Sequence, residues 1–156
     1  MKLKLGQKYL VSTITLILDI LLIYILLNEK LNIYDESFVY IVLISHFLFY
    51  ISVYNDNNKL MELCHITIPL TILFGIFTES KYILGVLIIF IIQLYITWFI
   101  YGNCPIKHDN EYNAIYILDK VKKYTGVDFH KGDNIEKYFR VGLIIIIIKM
   151  LRNNLK

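Results

Sequence analysis

A chain of 156 residues with a formal charge of +3 has room for one compact unit, and its weak, scattered charge does not suit nucleic acid. Hydrophobic residues make up 57 % and charged residues 19 %, against about 45–50 % and about 25 % in soluble domains. That composition excludes disorder, a collagen-like fibre and an ordinary water-soluble enzyme, and two cysteines cannot make a disulfide scaffold.

The class left is a small all-α integral membrane protein with several crossings. Ile, Lys, Asn, Tyr and Phe together form about half of the chain, and Ala occurs once. These residues have A/T-rich codons, a bias expected of a low-GC organism or a large virus with such a genome.

Residues 9–27 form the first apolar stretch, with Asp19 as its one charge. A helix needs about 20 residues to cross the hydrocarbon core, so this stretch is read as a span. Lys2, Lys4 and Lys8 precede it in the manner of a signal peptide. The apolar part is too long for one, however, and no small-x-small cleavage pattern follows, which favours an uncleaved helix. After a polar, net acidic stretch over 28–36, residues 37–54 give a second span. The run Asn55-Asp56-Asn57-Asn58-Lys59 reads as a tight turn.

The third span is expected over 60–78, with Pro69 inside it. Proline kinks a helix, which membrane bundles tolerate. Glu79-Ser80-Lys81 breaks the run, and residues 82–101 make the fourth span, closing on Trp98 and Tyr101 as at a membrane–water boundary. Residues 1–101 are thus expected to be a bundle of four crossings.

Residues 102–156 form a polar region. Within it, 112–124 predicts an amphipathic helix, with Ile115, Leu118 and Val121 three apart and Lys120, Lys122 and Lys123 elsewhere around it. Such a helix lies on the membrane surface or against the bundle. A last helix is expected over 134–151. Its uninterrupted apolar core, 141–148, is about 12 Å long, short of the roughly 30 Å of a bilayer core. It is therefore expected to be partly immersed or packed on the bundle.

Lys and Arg set orientation. With the N-terminus inside, eleven of them (in the N-tail, the 55–59 turn and residues 102–140) face inward, against Lys30 and Lys81 outside. The N-terminus is expected on the cytoplasmic side, and the C-tail joins it if the last helix does not cross.

Polar groups deep in a span need a partner or a wet cavity. Asp19 lies about 15 Å into the first span, His46 about 14 Å into the second and Gln93 about 16 Å into the fourth. One reading makes Asp19 and His46 a proton-transfer pair, since imidazole titrates near neutral pH. The preferred one is an interhelical hydrogen-bond cluster that fixes packing. Haem held by His46 and His65 fails on depth, because His65 is near a span end. Glu62 and His65 have the Glu-x-x-His spacing of di-iron bundles but lack the second copy and further glutamates such sites need. Cys64 and Cys104 are read as free thiols at a reducing face. Cys104, His108, Glu111, Asp128 and His130 are residue types zinc accepts, but their spacing fits no zinc signature, and a solvated loop is the preferred reading.

The loop after the fourth span carries one resemblance. Trp98-Phe99-Ile100-Tyr101-Gly102-Asn103-Cys104-Pro105-Ile106, followed by Glu111, resembles small multi-pass membrane proteins of unknown function. These end a transmembrane helix in aromatics, followed by Cys-Pro-Leu-Thr and a Glu three residues later. Here Lys107 replaces the Thr, and Glu111 comes four residues after it. The resemblance covers about 15 residues and implies a membrane topology without an activity.

The chain offers no nucleotide loop, activated serine or intramembrane zinc motif, so no catalytic residue, metal or cofactor is expected. The leading reading is a non-enzymatic membrane protein acting through lipid, other membrane proteins or copies of itself. The runner-up is a small oligomeric transport or proton-handling protein using Asp19 and His46. Third is a membrane-bound enzyme with Cys104, His108, Glu111 and His130 at the inner face.

Overall fold

The computed structural model describes residues 5–101, 123 and 132–154. Among them every regular element is helical: α1 (Leu5–Asn28), α2 (Ile33–Tyr54), α3 (Asn58–Gly75), α4 (Lys81–Tyr101) and α5 (Gly132–Asn154). Three of these, α1, α2 and α4, are long and apolar enough to cross a membrane. The helix of the expected third span, α3, is not among them. It opens with Asn58, Lys59, Glu62 and His65, so its apolar part begins only at Ile66. It also stops at Gly75, short of the expected 78.

α2 begins four residues earlier than its hydropathy suggests. Asn32 is its N-cap, its side-chain oxygen accepting from the Asp35 N–H at 2.8 Å. Asp35 and Glu36 then occupy the first turn, where the helix dipole favours acids. Asn57 caps α3 in the same way, accepting from the Leu60 N–H at 3.1 Å. Between these helices Asp56 takes a left-handed φ of 52°, a conformation that Asp tolerates better than most residues. Its carboxylate pairs with Lys8, which ties the start of α1 to the α2–α3 turn. These groups mark one end of the bundle.

The last helix packs on the bundle, against α4 and α3, as one of its two expected placements has it, and extends beyond the expected 134–151 at both ends. α5 is 23 residues long, about 34 Å, and runs the length of the bundle. Near its start Phe139 meets Trp98 edge-on with ring centroids 5.4 Å apart, and the Tyr138 hydroxyl donates to the Pro69 carbonyl at 2.8 Å. Further on, Lys149 Nζ donates to the Ile76 carbonyl at 2.8 Å, and Asn153 donates to the Glu79 carbonyl at 2.9 Å. The C-terminal end therefore sits at the α3–α4 turn, opposite Lys8. The start of α1 and the end of α5 thus lie at opposite ends of the bundle.

Two glycines allow this packing. A Cβ on Gly142 would lie 2.7 Å from Ile72 Cγ2, and one on Gly75 would lie 2.4 Å from Leu87 Cδ1. α3 thus approaches α5 and α4 closely, the contact that small residues permit where lipid supplies no hydrophobic drive between helices. The main core joins Leu18, Leu22, Val39, Val42, Ile72, Leu84, Leu87 and Ile146. A smaller cluster of Val11, Phe49, Val53, Met61 and Cys64 lies toward the Lys8 end.

Candidate functional site

The two mid-depth ionisable residues meet. Asp19 on α1 and His46 on α2 are joined through carboxylate Oδ1 and ring Nδ1 at 2.6 Å. The second carboxylate oxygen accepts from the Tyr50 hydroxyl at 2.8 Å. Asp19 is 7 % exposed, so its charge lies inside the bundle with one donor on each oxygen. An ionised Asp19 requires the proton on His46 Nδ1, which leaves Nε2 as the ring's free acceptor.

Tyr50 is missed by a depth argument, because tyrosine is common here (13 residues) and usually interfacial. Its position four residues after His46 was the available signal, since i and i+4 share a helix face. Gln93 does not join the cluster. Its side-chain Oε1 is buried without a hydrogen-bond partner, as is the Trp98 Nε1–H.

Below His46, toward the Lys8 end, a cavity of about 70 Å³ lies between α1, α2, α3 and α4. Its wall includes Thr15, Ser45, His46, Cys64, Thr67, Thr97 and Trp98. The four hydroxyls donate back to their own helices, to the carbonyls of Val11, Ile41, Cys64 and Gln93 respectively, at 2.6–2.9 Å. Each hydroxyl oxygen so engaged still has acceptor capacity. Above His46 the space is smaller, about 20 Å³, and its lining is apolar except for His46 and Thr71: Leu18, Leu22, Phe38, Val42, Val86, Leu87 and Phe90. His46 and Phe90 line both spaces.

A second buried carboxylate, Asp35, lies at the opposite end from Lys8. One oxygen accepts from the Thr78 hydroxyl and the Glu79 N–H, the latter at 3.1 Å. The other accepts from the Ser80 N–H at 2.9 Å and the Asn32 amide at 3.2 Å. Sequence alone had put Asp35 in a polar linker.

Cys64 is a buried free thiol. Cys104, His108, Glu111, Asp128 and His130 lie outside the described residues, as does the amphipathic segment over 112–124 apart from Lys123. Among the described residues no group of three or more His, Cys, Asp or Glu is placed to hold a metal. Family models, curated proteins and solved structures yield no match to this chain.

Proposed function

We propose that this chain is a multi-pass integral membrane protein that acts within the bilayer through lipid and neighbouring membrane proteins. The observation that carries this is the inverted distribution of polarity. Only 33 %, 33 % and 39 % of the most apolar stretches of α1, α2 and α4 are buried inside the molecule. Ile20, Ile41, Ile44, Phe47, Ile92 and Ile96 are all about half exposed or more, while Asp19, Asp35, Ser52 and Thr78 are buried. An apolar surface of that extent needs a cover, and lipid supplies one.

In this reading α3 and α5 also cross, because α3 packs along α2 and α4, and α5 packs along α4 and α3. Lys149 reaches a backbone carbonyl and Arg140 lies near the other end, so snorkelling shortens the stretch α5 must immerse. By the charge rule the N-terminus lies on the cytoplasmic side, to which the sequence pattern assigns eleven Lys and Arg, against Lys30, Lys81, Lys149, Arg152 and Lys156 on the other. Alkaline extraction of expressing cells should leave the chain in the membrane fraction. Tags at the two ends, tested for protease access in sealed vesicles, should report opposite sides. Release by alkali removes the membrane reading, and tags on one side remove the crossing of α5.

A further inference from the structure

We propose that Asp19, His46 and Tyr50 form a proton-exchange site, with His46 taking its proton from water in the cavity on the Lys8 side of the bundle. The cavity has space for several waters, each needing about 10–15 Å³ on this measure. It also has polar groups to hold them. Four hydroxyl oxygens with spare acceptor capacity line it together with the Trp98 indole, whose buried N–H lacks a partner in the protein. Buried polar groups in folded proteins are almost always satisfied, and water in this cavity satisfies Trp98.

The proton balance is simple. Neutral His46 donates Nδ1–H to the Asp19 carboxylate, and Tyr50 donates to the other oxygen. An excess proton from the aqueous phase, relayed by cavity water as hydronium that reverts to water, adds to Nε2 and leaves an imidazolium paired with the same carboxylate; release reverses the step. Among the described side chains, the titratable groups facing this site are Asp19 from α1, Tyr50 from α2 and the Cys64 thiol across the cavity on α3. α4 contributes Phe90, Leu94, Thr97 and Trp98. On the far side the apolar lining of Leu18, Leu22, Phe38, Val42 and Leu87 offers no comparable water path. The idea rests on the membrane reading only for its sidedness.

Trp98 is the single tryptophan of the chain and lines the cavity with His46, which makes it a built-in reporter, since protonated imidazole quenches indole emission. In detergent micelles, Trp98 emission of the full chain should fall in a one-proton step on acidification. His46→Gln should abolish the step, and Cys64→Ser should keep it. A flat wild-type titration, or a step that survives in H46Q, overturns the proposal, and the flat titration needs no variant to fold. In vesicles of one orientation, acid added on the N-terminal side should quench Trp98 at least tenfold faster than acid added opposite. Equal rates, or the reverse order, overturn the one-sided access. The micelle titration does not depend on how many helices cross, so its failure is distinct from a failure of the membrane reading.

Discussion

Asp19 and Asp35 are both buried carboxylates in an apolar bundle, yet they are solvated by the protein in opposite ways. Asp35 is 1 % exposed and accepts four hydrogen bonds, two of them from the backbone N–H groups of Glu79 and Ser80. Asp19 accepts two, both from side chains that can change role. An imidazole nitrogen switches between donor and acceptor with its tautomer, and a phenol can do either. A backbone N–H can only donate. The first carboxylate is locked into one state by its partners, and the second is surrounded by groups that tolerate a change of protonation. Only the second has a partner, His46, that lines a cavity with room for water.

The largest effect should come from the locked site. Asp35→Ala leaves four donors without their acceptor at the junction of α2 with the α3–α4 turn. Stability in detergent should drop by about 3 kcal/mol or more, since each buried donor left unsatisfied costs about 1–3 kcal/mol, read as a large fall in Tm. Asp35→Asn should be nearly as damaging. Each oxygen of Asp35 faces one backbone N–H, so either orientation of the amide sets its NH₂ against a donor that cannot reverse. A mild D35N would mean that the turn relaxes freely and that the contrast with Asp19 is false.

At Asp19 the same pair of substitutions should separate. Asp19→Asn keeps the shape, and its NH₂ can donate to a His46 that has moved its proton to Nε2, or to the Tyr50 oxygen. The expected loss is below about 1 kcal/mol. Asp19→Leu strands both partners and should cost about 1–3 kcal/mol. Thermal melts of the two variants beside wild type decide this. If D19L is as stable as wild type, the carboxylate has no buried partners to lose.

Much of this fold is legible in the sequence because hydropathy and turn residues locate α1, α2 and α4 well. The errors have specific physical causes. Asp35 and Glu36 read as linker because acids in a first helical turn resemble loop composition unless the Asn32 cap is recognised beforehand. α5 extends past the expected 134–151 because its ends, Gly132-Asp133 and Arg152-Asn153-Asn154, carry no apolar pattern. In the structure the Ile76 carbonyl meets Lys149, and Tyr138 and Phe139 find Pro69 and Trp98. Those partners are distant in sequence, so no local pattern reveals them. The candidate site was half visible. The depths of Asp19 and His46 suggested their meeting, but Tyr50 and the cavity depend on the packing of four helices. Gln93 shows the limit of depth as a criterion, since a similar depth leaves it outside the cluster with an orphaned oxygen.

A small effect, and the sharpest test of the contrast, is expected at Tyr50. Tyr50→Phe removes one of the two donors to Asp19 while preserving the ring. Loss of a single neutral donor to a charged acceptor is worth about 1.5–3 kcal/mol where nothing replaces it. Here, water from the cavity that His46 lines is expected to reach the freed oxygen, so the measured loss should be nearer 1 kcal/mol. Thr78→Val at the other carboxylate removes one neutral hydroxyl donor with almost no change in volume. Thr78 is fully buried, so no water should replace it and the larger figure should apply. A double comparison by thermal melts therefore reads water access directly. Equal losses for Y50F and T78V would show that the Asp19 site is as dry as the Asp35 site, and the distinction between a locking carboxylate and an exchanging one would fall with it.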